Sequence, residues 1–335
     1  MEPVSDNLYC KDNDKISDRL FYNTNNSYYE EHQYLNLIRD ILEKGTWEEG
    51  RNGRTKTLFG ASMRFSLKNG QIPILTTKKT AWKTCLKELL WFISGSTDNT
   101  VLKKQGVHIW DANGSREFLD SRGLTDYEED ELGPVYGWQW RHFNKPFFSK
   151  KETDEIRRNF MKPAYEEKYS DLNKQGIDQL QQIIDALKDP KERFSRRLVL
   201  SAWNPCQLEQ MALPPCHVLC QFNVHDGNKL SCSLYQRSCD VFLGQPFNIA
   251  SYSMLTHLLA KHCGLEAHEF VYFMGNVHIY ENAISACETQ LTRQPYPFPT
   301  LTITHELEHI EDYVVSDFVL NNYQSHDAIK AEMVA

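Results

Sequence analysis

The chain has 335 residues, 41% of them apolar and 24% charged, and a net charge of -8. That composition fits a soluble globular protein with a substantial core, in one large domain or two ordinary ones. It argues against bulk electrostatic association with nucleic acid or an anionic membrane, though not against a local basic pocket, and no apolar run approaches the roughly 20 residues of a membrane span.

Nine cysteines, an odd number without metal-ligand spacing, follow an N-terminus (MEPVSDNLYCKDNDK) that lacks an apolar signal core. These features predict a reduced, cytoplasmic compartment, free thiols and no metal. Residues 1–28 are polar and read as a poorly ordered leader. From Glu30, Tyr34, Leu37, Ile38, Ile41 and Leu42 recur at helical spacing up to a stop at Gly45. GRNGRTKTLFGASMRFSL then predicts turn and strand, with Arg51 and Arg54 in the turn. TAWKTCLKELLWFIS (80–94) predicts a helix that is apolar almost all round and therefore buried. Glu88 within it should have a raised pKa, which makes it a candidate proton handler.

Residues 107–143 gather aromatics with Gly and Pro, a pattern that suits either a flat loop-lined pocket or core packing. Residues 144–171 are charge-dense and weakly periodic, a surface excursion. Ile177, Leu180, Ile183, Ile184 and Leu187 mark an amphipathic helix, and RRLVLSAW (196–203) reads as a strand. Alternation in 218–224 and 230–234 about Asp226-Gly227 predicts a β-hairpin. Asn248 and Ser251 precede or open a long helix closed by Gly264, and FVYFMGNVHIY is a strand with His278 and Tyr280 on one face. Helices and strands intersperse without regular βαβ alternation, which favours a single α+β domain.

Cys216 follows Pro214-Pro215, and Arg237 lies on the other limb of the same hairpin system. A cation near the sulfur favours the nucleophilic thiolate. His217 invites a papain-like pair, but neighbours on a strand face opposite ways. Arg196, Arg197, Arg237 and the Arg51 turn suit a small-molecule phosphate, which arginine forks grip bidentately. The Asn248 amide sets a donor beside an acceptor and so matches the N3–H and O4 edge of uracil.

LPPCH, YQRSCDVFLGQPFNIASY, RRLVLSAWN, LTTKK, KELLWFISGSTDN, IWD, LGPVYGWQWRHF and GNVHIYEN occur in one order from about Glu30 to the C-terminus. Together they resemble the thymidylate synthase family, in its monofunctional form. The resemblance implies an α+β fold, a large mixed β-sheet packed by helices with the sheet at a homodimer interface, and reductive methylation of dUMP to dTMP by 5,10-methylenetetrahydrofolate. It implies Cys216 as the nucleophile at C6. Arg51, Arg237 and Ser238 would hold the phosphate, with Arg196 and Arg197 reaching from the second subunit. Gln236, Asp240, Asn248, His278 and Tyr280 complete the nucleotide side, and Glu88, Tyr136, Asp240 and Asn248 join Cys216 in catalysis. Ile109, Trp110, Asn113, Asp240, Leu243, Gly244 and Phe247 would line the folate side, Lys78 would meet the folate's glutamate tail, and the tail to Met333 and Ala335 would close as a lid.

Some positions depart from the family pattern. The RNGRTKTLFG loop is one residue short, so Arg54 competes with Arg51 for the phosphate. The 144–171 excursion is long, Ala283 stands where His is common, and the chain ends Val334-Ala335. A deoxyuridylate hydroxymethylase, in which water replaces hydride, is the alternative on the same fold.

Overall fold

The computed structural model describes residues 27–50, 53–159 and 175–331, with side chains from Glu30 onward. Most of the expected leader and the second half of the excursion lie outside the described residues, as do Arg51, Met333, Val334 and Ala335. Helix α1 (Ser27–Lys44) turns Tyr34, Leu37, Ile38 and Ile41 inward and packs on β2, the second of two antiparallel strands, β1 (Thr46–Gly50) and β2 (Gly53–Ser66). Helix α2 (Trp82–Ile93) buries seven of its 12 residues, Glu88 among them, as its all-round apolar pattern requires. Short helices α3 (Thr100–Lys103), α4 (Asp111–Gly114), α5 (Arg116–Ser121) and α6 (Tyr136–His142) follow.

The excursion is more regular than its weak periodicity suggests. It contains helix α7 (Lys150–Asn159), which buries Ile156 and docks through Lys150 on Asp98 at 3.6 Å and Lys151 on Asp126 at 2.5 Å. Helix α8 (Gln179–Lys188) buries Leu180, Ile183, Ile184 and Leu187. Ile177 is not part of it but forms an isolated bridge with Phe143. Strand β3 is only Val199–Ser201, because the amides of Ala202 and Trp203 both turn to Val218 O, at 2.9 and 3.3 Å.

Strands β4 (His217–His225) and β5 (Lys229–Asp240) form the expected hairpin, with a register shift between His217 and Leu219. Helix α9 (Gly244–His262) leads to β6 (Glu266–Tyr280), then α10 (Ile284–Leu291) and the small β7 (Thr300–Ile303) and β8 (Phe318–Asn321) pair. The main sheet runs β1-β2-β6-β5-β4-β3. Its one parallel pair, β5 with β6, is joined by α9, since parallel strands need such a crossover. Helix α9 packs on β5, β6 and α2, and is buried almost all round. Asn248 and Ser251 therefore do not cap it: the helix begins at Gly244 and both residues lie inside it, buried. This is the expected α+β class, a mixed sheet packed by helices. Among the described residues no helix is long and apolar enough to cross a membrane.

Candidate active site

Pro214 and Pro215 lack amide hydrogens, so pairing with β5 begins only after them. The Cys216 carbonyl accepts from Arg237 N at 3.0 Å. The proline carbonyls in turn hold the arginine: Nε donates to Pro215 O and Nη2 to Pro214 O, both at 2.9 Å. That leaves Nη2 at 4.0 Å from Cys216 Sγ, with the guanidinium 5.5 Å from the Trp203 ring centre. The Cys216 amide donates to Tyr136 Oη at 2.7 Å. Burial pushes the Cys216 thiol up; Arg237 and the Tyr136 contact pull it back, and burial wins. The expected help from Arg237 is present but does not by itself give a thiolate.

Glu88 reaches the same neighbourhood from α2. Its Oε1 accepts from Trp110 Nε1 at 2.7 Å, and burial raises its pKa to about 7 against that hydrogen bond. The Trp110 and Tyr136 rings stand 6.1 Å apart. Tyr136 comes this close because α6 crosses α2 at Gly137: a Cβ there would lie 2.7 Å from Phe92 O. From α9, Asn248 Nδ2 donates to His217 Nε2 at 2.6 Å. Burial lowers the His217 pKa to about 4, so the ring is neutral and able to accept. His217 faces Asn248 and Tyr136, the latter at 5.0 Å between ring centres, and supports them as neither acid nor base for Cys216.

Asp240 Oδ1 accepts from the amides of Phe242 and Leu243 at 2.9 and 3.1 Å and so shapes the entry to α9. Burial raises its pKa, opposed by the Leu243 amide and by His278. Gln236 is buried, accepts from Tyr272 Oη and donates to Ser238 O at 2.8 Å. His278 Nδ1 is 2.8 Å from Asn276 Oδ1 and its ring stands 5.3 Å from Tyr280, as the period of two requires. Asn276, His278 and Tyr280 line a hollow with Thr55, Thr57 and Glu48. Ile109, Asn113, Leu243, Gly244 and Phe247 are half-buried.

Other expected residues are not brought to Cys216. Lys78, expected at an anionic tail, is 7% exposed; its Nζ donates to Phe242 O and sits 3.5 Å over the Phe242 ring. Burial lowers its pKa to about 8. Arg54 stacks on Trp47 at 4.4 Å and pairs with Glu281 at 3.0 Å and Glu49 at 3.3 Å, so its charge is already engaged. Arg196 and Arg197 are exposed before β3. Sequence reasoning missed Trp203 beneath Arg237 and Asn276 behind His278. Only Asn276 had a local signal, two residues before His278 on the same face.

A family model described as thymidylate synthase matches residues 32–335. The chain is 49% identical over 304 residues to the thymidylate synthase of equine herpesvirus 2, covering 90% of this chain and 98% of that one. It is 48% identical over 308 residues to the bifunctional dihydrofolate reductase-thymidylate synthase of Leishmania major, and 45% over 318 residues to that of Plasmodium chabaudi. These alignments cover 91% and 95% of this chain but 55% and 51% of the relatives, so the chain spans about half of their length.

Proposed function

The chain belongs to the thymidylate synthase family, and from that premise we propose that it converts dUMP to dTMP with 5,10-methylenetetrahydrofolate, releasing dihydrofolate. The observation that carries the reading is the cluster around Cys216: a thiol 4.0 Å from Arg237, with its amide on Tyr136 Oη and Asn248 held by a neutral His217. Cys216, once deprotonated, adds to C6 of the uracil. The π pair of C5=C6 moves to C5 and O4, so C5 becomes the carbon nucleophile. Arg237 favours the anion that starts this step. Asn248 spends one N–H on His217 and keeps its second N–H for O4 and its Oδ1 for N3–H. Glu88, protonated up to about pH 7, manages proton transfer at the base with Tyr136.

The residues present fit a folate. Ile109, Leu243 and Phe247 leave part of their apolar surface open, and Asp240 sets a carboxylate beside Leu243. A pterin needs flat apolar contact and such a hydrogen-bonding edge. When bound, the folate supplies the one-carbon unit and the hydride. Arg51, Arg237 and Ser238 hold the phosphate with Arg196 and Arg197 of a second copy. The homodimer forms through the sheet, where Phe59, Phe273 and Tyr235 are 86%, 47% and 40% exposed and line one hollow. A cytoplasmic location fits the eight free cysteines among the described residues.

The test is a mass spectrum after incubation with 5-fluoro-dUMP and methylenetetrahydrofolate. A covalent ternary adduct on Cys216, absent in Cys216→Ala, is expected; no adduct would sink the reading. With dUMP itself, dTMP and dihydrofolate should form one to one. Hydroxymethyl-dUMP with the folate left as tetrahydrofolate would replace the proposal by the hydroxymethylase.

A further inference from the structure

The segment carrying Ile109, Trp110 and Asn113 has little regular structure of its own beyond the single turn of α4. Polar side chains behind it fix its position. Asn99 is fully buried and turns Nδ2 between two carboxylates, 3.0 Å from Asp111 Oδ1 and 2.8 Å from Asp130 Oδ1. Its Oδ1 has no partner among the described residues, so the amide is committed to that bridge. Lys103 Nζ reaches the Asp130 carboxylate at 2.7 Å and stands 3.9 Å from Asp111. His108 Nδ1 lies 2.8 Å from Asp111 Oδ2.

The backbone repeats the connection. Asp130 N donates to Gly114 O at 2.8 Å, and Asn99 N donates to Asp130 O at 2.9 Å. A Cβ on Gly114 would come within 3.0 Å of Asp130 Oδ1 and 3.1 Å of its Cα. Asp130 itself has φ +69°, left-handed backbone that glycine would adopt at no steric cost. A turn needed only for its shape would be better served by glycine. The carboxylate, buried and held by the Asn99 amide and the part-exposed Lys103, therefore has work beyond shaping the turn. The connection continues forward: Gly114 N donates to Trp110 O at 2.9 Å, and Trp110 Nε1 to Glu88 Oε1 at 2.7 Å.

We propose that Asp130, Asn99 and Lys103 form a clasp that positions the Trp110–Asn113 segment for the folate and, through Trp110, aims the Glu88 carboxyl at the base. The three are positioning residues. Their role rests on the reading of Trp110 and Asn113 as folate-side residues given above.

Asp130→Gly is the clean test, because it removes the carboxylate and relieves the backbone instead of straining it. Relief of the left-handed backbone offsets much of the lost hydrogen bonding, so its melting temperature should fall by no more than about 5 °C. Its KM for methylenetetrahydrofolate should rise about tenfold, the loss of a charge-assisted hydrogen bond, with KM for dUMP within about twofold. Asp130→Asn tolerates the same backbone and keeps an acceptor for Asn99, and should restore most of the folate affinity. Hydrogen exchange at the Gly114 amide should quicken in Asp130→Gly and not in Asp130→Asn. An unchanged folate KM, a parallel rise in both KM values with a larger fall in melting temperature, or unchanged exchange at Gly114 would each overturn the clasp. If the wild-type chain turns over no dUMP, the functional reading fails, while the exchange measurement still decides whether the clasp exists.

Discussion

Burial sets the protonation of Glu88 and His217 in opposite directions, and both settings suit a neutral environment around the base. The carboxyl is raised to about 7 and keeps its proton; the imidazole is lowered to about 4 and lacks one. For Glu88 the sign of the stability effect follows directly. The unfolded chain releases this proton near 4.5 and the folded chain near 7, so folding stability falls as pH rises between those values and is level above them. Glu88→Gln cannot ionise and still accepts from Trp110. It should exceed the wild type in stability by on the order of 3 kcal/mol at pH 8, with the difference vanishing below about pH 4.5. Urea unfolding at pH 4 and pH 8 reads this. Equal differences at the two pH values would mean that the Glu88 pKa is not raised. Turnover should be lost in the same variant, because the amide has no proton to exchange with the base.

Among the elements, the hairpin was the most legible, because its turn chemistry is local. Asp226 and Gly227 take φ +47° and +85°, left-handed backbone within the three-residue loop that joins His225 to its register partner Lys229. The start of α9 was not legible. Gly244-Gln245-Pro246 resembles a loop, yet proline is tolerated in a first turn, where amides lack intrahelical partners, and Asp240 meets the two amides just before it. Starting the helix there puts Asn248 on a rigid, buried stretch in place of a cap. Motif residues on one hairpin, such as Cys216 just before β4 and Arg237 on β5, could be brought together by reading. Trp203 beneath Arg237 and Asp130 behind Trp110 could not, since tertiary approach alone unites them. The α2–α6 crossing is of this second kind and can be tested. Gly137→Ala would press a methyl to 2.7 Å from Phe92 O and 3.0 Å from Phe92 Cα. The crossing should open at a cost of about 1–3 kcal/mol, drawing Tyr136 off the Cys216 amide. Thermal melting and kcat should fall together; a stable, fully active variant would show that the crossing does not set the position of Tyr136.

For the whole molecule, the proposed second copy turns an exposed apolar sheet face and two displaced arginines into one requirement. Tyr235 and Phe273 are register partners on β5 and β6, and with Phe59 they leave aromatic surface open that a soluble chain seldom leaves uncovered. Arg196 and Arg197 lie on the segment leading into β3, the far edge strand of the same sheet, exposed and without an ion pair among the described residues. If a two-fold axis passes through the sheet, each site takes Cys216 from one chain and these arginines from the other. A Cys216→Ala chain and an Arg196→Ala/Arg197→Ala chain should each be nearly inactive alone. After unfolding and refolding together, half of the dimers are mixed, and each mixed dimer holds one site with every residue intact. Activity should then recover to about a quarter of wild type, the share of intact sites that random pairing gives. Phe59→Glu in both chains should abolish the recovery and leave monomers by sedimentation, since a buried unpaired charge opposes the contact. Recovery that persists in monomers, or mixing that restores nothing while dimers form, would place the phosphate arginines within a single chain.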